Sequence, residues 1–469
     1  MVMVNNRVLL IQAPPWGTYT PPLGIAYLAA FLKSLDFSPQ VFDLNMELFN
    51  GSVREIKEKW DTQDFEFWAS GKGVGEFKER LEDLADRIIS FDAGFIGFST
   101  TFASVPFINA ILPIIKNRLQ DKSVIIIGGA GTNYQETRIL FREDLIDYFI
   151  IGEGEYPLLY LLNDLKENKT IQAAPGYIIW KDKPQDRAVC LKATKDNSTD
   201  IDDIPFPTFK EFDLGSYTQT DLLPLISSRG CVRSCAFCCD APLKKPYRCR
   251  GANKVAEEIS HHVRTYNRRR FEFSDLLING DLNFLDKFCS LLIDMDLGIC
   301  WGGQAAVRQD MGPELFRKMK KAGCGGLTFG CESFSDNVLK LMHKGITSND
   351  TKGTFVKAKE SGMLVEVNLI VGFPGEEEQD IEETIKFIRD NAKRIDKINS
   401  LNICTIGPGM YIYEHLEEYN IDKSIITDWY AWHNKDLSNT IEKRVARHKK
   451  LLSVCADLNL KPLWQNIKR

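Results

Sequence analysis

The chain has 469 residues, of which 44% are hydrophobic, 11% aromatic and 26% charged. This length suits about two to four domains, and the composition excludes long disorder, collagen-like repeats and coiled coil as the main architecture. The 59 Lys and Arg residues are balanced by 64 Asp and Glu residues, so the net charge of −5 provides no basic field for nucleic-acid binding. No apolar run approaches the roughly 20 residues of a transmembrane segment and no signal peptide is recognisable, so we expect a cytoplasmic protein.

Strands and helices alternate in the first third of the chain. Amphipathic segments at 23–33 and 106–119 predict helices. Apolar runs predict buried strands at 8–11, 41–43, 95–99, 124–127 and 148–151. This alternation predicts a doubly wound, Rossmann-like parallel sheet in a domain spanning 1–164, with its ligand crevice at the carboxyl ends of the strands.

A connector rich in proline and polar residues follows at 165–220, where we expect a hairpin and then an extended crossing. Beyond it, six further strands alternate with amphipathic helices and predict a partial (βα)6 TIM-like barrel over 221–409. Residues 410–469 are predicted to form a small C-terminal helical region. The six barrel strands are predicted at 222–227, 271–276, 298–304, 326–332, 365–372 and 397–404.

Cysteines are concentrated directly after the first predicted barrel strand, where five of the 12 fall between Cys231 and Cys249. The spacing of Cys231, Cys235 and Cys238 lets one tight loop aim three thiolates at one metal centre. Three thiolates leave one iron of a four-iron cluster open to a small molecule. The alternative is a structural zinc site, which normally closes with four protein ligands and would need Cys239 or Cys249.

The C-x3-C-x2-C spacing, with an aromatic residue before the third cysteine, resembles the motif of the radical S-adenosylmethionine superfamily. Later segments, FGCESFSDNVLKLMHKG and IVGFPGEEEQD, are similar to further parts of that family's barrel. The resemblance implies a 4Fe-4S cluster bound by Cys231, Cys235 and Cys238. It further implies S-adenosylmethionine on the open iron, a 5′-deoxyadenosyl radical, and a reductant such as flavodoxin or ferredoxin.

The same resemblance implies which residues contact S-adenosylmethionine. Ser274 and Asp275 correspond to the residues that hold its amine, Glu332 to a residue that binds the ribose, and Gln304 and Arg308 to those near the carboxylate. An ordinary salt-bridged barrel rim is the alternative for Gln304, Arg308 and Glu332. The remaining implied contacts are Phe237 in the cysteine loop and Gly372 and Pro374 in the turn near the adenine.

The N-terminal domain resembles the cobalamin-binding domain that is fused to many radical S-adenosylmethionine enzymes. The resemblance rests on PPLGIAYLAAFLK, GFSTTFAS, IIGGAGTNY and IIGEGEYPLLYLL. It implies that cobalamin lies against the loops at the strand ends, where glycines let the backbone approach a nucleotide closely. The implied contacts are Pro14, Trp16, Gly24, Asn45, Ser99, Gly128, Gly129, Gly152 and Glu153.

One departure from the cobalamin-domain pattern concerns the ligand beneath the cobalt. Domains that ligate cobalt through histidine carry D-x-H-x-x-G after the second strand, whereas this chain has Asp43 and then Asn45 there, and no histidine before His261. Either cobalamin binds with its own base displaced and no histidine below it, or the domain has lost cobalamin and remains as scaffold.

Together, the two resemblances imply a cobalamin-dependent enzyme that methylates an unactivated carbon through a 5′-deoxyadenosyl radical. An enzyme of the same superfamily that forms a ring, contracts a ring or rearranges its substrate, with cobalamin absent or in another role, is the alternative. A second alternative is a non-catalytic cobalamin or redox sensor. We expect a small-molecule or peptide substrate, whose identity the sequence does not indicate.

Overall fold

The computed structural model describes residues 5–60, 64–120, 122–167, 169, 177–179, 200–240, 246–422 and 429–466. The chain forms two compact units, Met1–Thr220 and Asp221–Arg469. The segment predicted as a connector belongs to the first unit, and the C-terminal region belongs to the second. Most of the hairpin predicted in the connector lies outside the described residues.

A six-stranded sheet with the order β2-β1-β3-β4-β5-β6 forms the centre of the first unit. Strands β1 to β5 pair in parallel, and β6 joins the edge antiparallel to β5. The predicted doubly wound sheet is therefore confirmed. Its strands are β1 (Arg7–Gln12), β2 (Ser38–Phe42), β3 (Phe95–Ser99), β4 (Val124–Gly128), β5 (Tyr148–Ile150) and β6 (Tyr177–Ile179).

The central strands of this sheet are almost wholly apolar because helices cover both faces. The long helix α7 lies in the hydrophobic core through Ile108, Ile111, Leu112 and Ile115. The helices are α1 (Leu23–Lys33), α2 (Leu44–Asn50), α3 (Arg54–Lys57), α4 (Phe65–Ala69), α5 (Lys72–Glu76), α6 (Leu81–Ser90), α7 (Val105–Leu119), α8 (Gln135–Arg138) and α9 (Glu155–Lys166).

Asp43 begins α2 at the carboxyl end of β2. One carboxylate oxygen accepts a hydrogen bond from the backbone N–H of Met46 at 2.9 Å, as an N-cap does, and the other accepts from the Tyr217 hydroxyl at 2.5 Å. Burial raises the pKa of Asp43 from 3.8 to about 6, and these hydrogen bonds only partly oppose it. This carboxyl therefore ties Tyr217, near the end of the first unit, to the start of α2.

The second unit is a parallel six-stranded sheet with the order β14-β13-β12-β11-β10-β7, curved as a partial barrel. All six strands lie where the sequence predicts them. A short antiparallel ribbon of β8 and β9 follows the first barrel strand. The strands are β7 (Leu222–Leu225), β8 (Ser228–Arg229), β9 (Arg248–Cys249), β10 (Arg270–Phe273), β11 (Cys300–Ala305), β12 (Cys324–Glu332), β13 (Leu364–Val371) and β14 (Lys397–Ile403).

The C-terminal segment covers one edge of this partial barrel. Strand β14 is the edge strand, and Trp464 forms backbone hydrogen bonds with Asn399 and Leu401 of β14. This pairing uses edge N–H and C=O groups that would otherwise be exposed. The helices of the unit are α10 (Ala252–Tyr266), α11 (Leu282–Met295), α12 (Pro313–Lys321), α13 (Asp336–Leu341), α14 (Ser348–Glu360), α15 (Glu378–Asn391), α16 (Tyr411–Glu414) and α17 (Ile441–Asp457).

Within the described ranges, no helix combines the length and the apolar character that crossing a bilayer requires.

We predict that Asp43→Asn makes the stability of the first unit less sensitive to pH. Because the folded-state pKa of Asp43 lies above its unfolded value, its contribution is present below about pH 4 and is lost as the pH rises to about 6. The loss amounts to about 3 kcal/mol in wild type. Unfolding of the wild type and the variant between pH 4 and pH 7 measures it. The exposed Asp36→Asn is the control, and an unchanged pH dependence in Asp43→Asn would contradict the assignment.

Candidate active site

The three motif cysteines lie in one loop that follows the β8 strand. The backbone N–H of Cys238 donates to the carbonyl of Cys235 at 3.1 Å, and that of Arg233 donates to the sulfur of Cys231 at 3.3 Å. All three cysteines are partly buried. Burial raises the pKa of the Cys231 and Cys235 thiols, so iron has to displace protons when it binds.

The loop suits a cluster better than a single metal ion. Among the residues that the structure describes, no three Cys, His, Asp or Glu side chains converge at the distances that one ion requires. A cubane cluster does not require such convergence, because each thiolate binds a different iron. Cys239, a possible fourth zinc ligand, instead packs against the apolar cluster around Met342 and Ile406. Cys231, Cys235 and Cys238 thus fit a 4Fe-4S cluster with three protein ligands.

Backbone contacts hold the cysteine loop from several sides. The Arg233 guanidinium donates to the carbonyls of Lys344 at 2.8 Å and Val307 at 3.1 Å. The N–H of Ala236 donates to the carbonyl of Met342, and the carbonyl of Ala236 accepts from the N–H of Ile412, both at 3.0 Å. The loop is therefore fixed to the segments after β11 and α13 and to the C-terminal region.

Asp275 is buried and supports the start of the same loop. Its carboxylate accepts hydrogen bonds from the hydroxyls of Ser227 and Ser228, both at 2.6 Å, and from the backbone N–H of Ser227 at 2.9 Å. Burial raises its pKa, although these donors favour the charged form. The neighbouring Ser274 is exposed at the end of β10. Of the two residues predicted to hold the amine, only Ser274 has an accessible side chain.

Gln304 lies in β11 and Arg308 follows the strand, and the two differ in their surroundings. Gln304 is exposed near the end of the strand. The Arg308 guanidinium donates to the carbonyls of Asn279 and Gly280, both at 2.9 Å, and forms a bidentate ion pair with Asp310. Arg308 therefore makes the rim contacts of the alternative interpretation, whereas Gln304 is left facing open space.

Glu332 ends β12 in a conformation that is unusual for its residue type. Its φ of 67° lies in the left-handed region, which costs about 1–3 kcal/mol and is concentrated at functional sites. Its Oε1 lies 3.3 Å from the Lys344 Nζ, and both side chains are nearly buried. Burial lowers the pKa of Lys344, but the charges of Glu332 and Cys235 outweigh this effect and raise it, so Lys344 stays protonated. A Cβ on Gly330 would approach Glu332 Oε1 to 2.9 Å.

Residues of the C-terminal region hold the turn that contains Gly372 and the buried Pro374 in place. Asn439 donates to the carbonyls of Gly372 at 3.0 Å and Phe373 at 3.1 Å, and Gly372 N–H donates to Glu376 at 2.8 Å. Gly372 has φ of 81°, and a Cβ there would overlap the aliphatic part of Arg444. No sequence motif pointed to Asn439 or Arg444, because they lie far along the chain in a segment predicted only as helical.

Two buried arginines of α17, Arg444 and Arg447, make further contacts around this turn. Arg444 of α17 donates to the carbonyls of Tyr430 at 2.6 Å and Trp432 at 2.9 Å. Arg447, one turn later, donates to the backbone carbonyl of Glu376 at 2.8 Å. Burial raises the pKa of Glu376 to about 8, despite the nearby Arg447 and the Gly372 N–H. The small C-terminal region therefore supports the turn that contains Gly372.

In the first unit, the structure brings Trp16 and Asn45 together. Trp16 lies after β1, two residues beyond Pro14, and Asn45 lies after β2. The fully buried Asn45 accepts hydrogen bonds at Oδ1 from the Trp16 backbone N–H and the Trp60 indole N–H, both at 2.8 Å. Its amide nitrogen is 3.5 Å from the Gly17 carbonyl. The Asn45 side chain therefore cross-links the first loop to α2.

Ser99, Gly128 and Gly129 form a second group, at the ends of β3 and β4. Ser99 pairs with Gly128 in the sheet, and Thr100 N–H donates to the Gly128 carbonyl at 2.9 Å. Gly129 has φ of 89°, and a Cβ there would lie 2.7 Å from the Thr100 carbonyl oxygen, so only glycine fits. Of the other predicted contacts, Gly24 is exposed at the start of α1, and Gly152 and Glu153 lie in the loop after β5.

We predict that Gly372→Ala destabilises the second unit and weakens S-adenosylmethionine binding. The left-handed φ costs about 1–2 kcal/mol for alanine, and displacing Arg444 brings the total to about 2–4 kcal/mol. Urea unfolding and equilibrium dialysis with S-adenosylmethionine measure the two effects. Gly353→Ala is the matched control, because Gly353 is an exposed helical residue with open space around it, and alanine there stabilises by about 0.5–1 kcal/mol. Unchanged binding in Gly372→Ala would argue against this turn as a contact.

Comparison with known proteins agrees with this division into two units. Residues 15–162 match the protein-family model of the B12 binding domain, and residues 225–388 match that of the radical SAM superfamily. The first match contains Trp16 and Asn45, and the second contains the three motif cysteines and Glu332. The two matches assign cobalamin to the first unit, and a 4Fe-4S cluster and S-adenosylmethionine to the second.

Relatives span most of the chain. An uncharacterized methyltransferase of Pyrococcus horikoshii is 25% identical over 415 residues, which is 86% of this chain and 80% of the relative. The anaerobic magnesium-protoporphyrin IX monomethyl ester cyclase of Rubrivivax gelatinosus is 23% identical over 385 residues, covering 79% of this chain and 62% of the cyclase.

Among solved structures, the radical S-adenosylmethionine methyltransferase TsrM of Kitasatospora setae, with cobalamin and a [4Fe-4S] cluster bound, has a similar fold. The TM-score is 0.65 at 15% identity, and the match covers 95% of this chain and 84% of TsrM. This one structure therefore matches both the N-terminal sheet and the partial barrel with its three-cysteine loop. The chain is a radical S-adenosylmethionine enzyme with an N-terminal B12-binding domain.

Proposed function

We propose that the protein is a methyltransferase that attaches a methyl group to an unactivated carbon of a small-molecule or peptide substrate. When bound, the cluster and S-adenosylmethionine supply the 5′-deoxyadenosyl radical that removes hydrogen from this carbon, and cobalamin carries the methyl group. A flavodoxin or ferredoxin is the proposed electron donor.

The observation that carries this proposal is that the Asn45 side chain is already engaged in hydrogen bonds within the protein. It occupies the position of the cobalt-binding histidine in the pattern D-x-H-x-x-G, yet its Oδ1 is already bonded by two N–H donors at 2.8 Å. Moving this amide towards a metal would leave two donors without their partner, at a cost of about 1–3 kcal/mol for each buried group. Asn45 therefore would not ligate bound cobalamin, and a cofactor without a ligand from this residue would be suited to carrying a methyl group.

Residues of the second unit bind the cluster and S-adenosylmethionine in this proposal. Cys231, Cys235 and Cys238 bind three irons, and Phe237 shields the loop by packing on the apolar cluster below it. Ser274 and Gln304, both exposed at strand ends, contact the amine and the carboxylate of S-adenosylmethionine. Asp275 and Arg308 hold the surrounding loops in place through the contacts described above.

Glu332 binds the ribose, and Gly372 and Pro374 present backbone to the adenine. The contacts to cobalamin remain those that the sequence predicts. They are Pro14, Trp16, Gly24, Asn45, Ser99, Gly128, Gly129, Gly152 and Glu153.

A ring-forming or rearrangement reaction is the second candidate, and the similarity to the anaerobic cyclase of Rubrivivax gelatinosus supports it. A non-catalytic sensor is the third, and it predicts no cleavage of S-adenosylmethionine at all. The cysteine loop is common to the two enzymatic candidates, so the products have to separate them.

We predict that Cys235→Ala abolishes 5′-deoxyadenosine formation, because two thiolates do not hold a four-iron cluster in this loop. The variant and the wild type are reconstituted anaerobically with iron and sulfide, and 5′-deoxyadenosine is measured after reduction with dithionite. Cys239→Ala is the matched control and retains both cluster and activity, since Cys239 packs among apolar side chains. Turnover of Cys235→Ala at the wild-type rate would overturn the cluster assignment.

We predict that the complete enzyme forms S-adenosylhomocysteine and 5′-deoxyadenosine in equal amounts. One S-adenosylmethionine donates the methyl group and a second provides the radical, so each methylation produces one of each. The enzyme, with cobalamin and reductant, is incubated with a metabolite extract of the organism that carries the gene. Formation of 5′-deoxyadenosine without S-adenosylhomocysteine would reject methyl transfer in favour of the ring-forming or rearrangement reaction.

A further inference from the structure

Lys344 is a nearly buried cation beside the cysteine loop, and the predicted ligand contacts do not include it. Its Nζ lies 5.5 Å from the centre of the Phe237 ring, between the second and third motif cysteines in the sequence. The same Nζ is 3.3 Å from Glu332 Oε1, and the Lys344 side chain is only 12% exposed.

Contacts on both sides fix the position of this ammonium group. The backbone carbonyl of Lys344 accepts a hydrogen bond from Arg233 in the cysteine loop at 2.8 Å. The backbone N–H of Lys344 donates to the Leu339 carbonyl at 3.0 Å, at the end of α13. A long side chain normally stays in water, and ordering one in a nearly buried place costs rotamer entropy of up to about 2 kcal/mol. Such a placement suggests a use for the charge.

A negatively charged cluster in the neighbouring loop would be stabilised by this positive charge. A [4Fe-4S]²⁺ core with three thiolates has a net charge of −1, and one electron from the reductant brings it to −2. A nearby positive charge in a poorly solvated place stabilises the more negative form. The position of Lys344 Nζ over the ring of Phe237, which lies between Cys235 and Cys238 in the sequence, puts this charge beside the loop that would hold the cluster.

We propose that Lys344 is a positioning residue that compensates the negative charge of the cluster thiolates and holds Glu332 at the ribose site. This inference rests on the cluster bound by Cys231, Cys235 and Cys238. Neutralising Lys344 removes the compensating cation and makes the cluster harder to reduce. Removing the Glu332 charge instead leaves the ammonium unopposed and makes the cluster easier to reduce.

The test uses Lys344→Met and Lys344→Arg, with Lys340→Met as the matched control, because Lys340 is an exposed lysine of α13, four residues before Lys344. Each protein is reconstituted anaerobically, its iron content is measured, and the cluster is titrated with dithionite while the reduced form is followed by electron paramagnetic resonance. At the wild-type midpoint, we expect the ratio of reduced to oxidised cluster to fall about tenfold in Lys344→Met, which is 59 mV for a one-electron couple. Lys344→Arg restores most of this loss, and Lys340→Met equals wild type.

Glu332→Gln is a second variant that decides the question even where Lys344→Met fails to load iron, since it is expected to shift the potential upward. A fully loaded Lys344→Met with the wild-type potential would overturn the proposal. So would Glu332→Gln with an unchanged or lowered potential. A wild-type protein that takes up zinc but no four-iron cluster would instead reject the cluster site itself, and the iron assay distinguishes this result from a failure of the Lys344 proposal.

Discussion

A three-thiolate cluster site has to be held open by the protein around it, and this constraint explains much of the second unit. A zinc site with four ligands completes its own coordination, whereas three cysteines in one loop leave a vacant iron that the loop itself cannot support. Here the support comes from elsewhere in the chain, through the Arg233 hydrogen bonds to Lys344 and Val307 and the backbone pairing of Ala236 with Met342 and Ile412. The loop therefore depends on segments up to about 180 residues away in sequence.

Buried charge is used in the same way at three points around the barrel end. Asp275 holds the start of the cysteine loop through two serines, Lys344 pairs with Glu332 beside the loop, and Arg447 contacts Glu376 beside the Gly372 turn. Each charged group has partners that repay part of its desolvation, as buried ions require. Removing one partner leaves the other unsatisfied, so these pairs fix loop positions more than they add stability.

The first unit departs from D-x-H-x-x-G at two positions, where Asn45 replaces the histidine and Leu48 the glycine. Asp43 still begins α2, but it bonds to Tyr217 rather than to a neighbouring histidine, and Asn45 cross-links Trp16 and Trp60. Both side chains therefore have structural roles in the positions that a histidine-ligating domain uses for its metal. The hydrogen bonds of these two side chains hold the segment in place.

The sequence alone determined the alternation of strands and helices and the two parallel sheets, because apolar periodicity is a local property of the chain. It predicted the three cysteine ligands from their spacing. It also indicated most strand ends correctly, which placed Ser274, Gln304 and Glu332 at the same edge of the sheet. Only the tertiary structure decided which of these side chains are accessible. Asp275 and Arg308 are engaged by serines, carbonyls and Asp310, and Asn439 and Arg444 reach the site from distant segments. Such contacts depend on packing between elements far apart in the chain, and no local pattern records them.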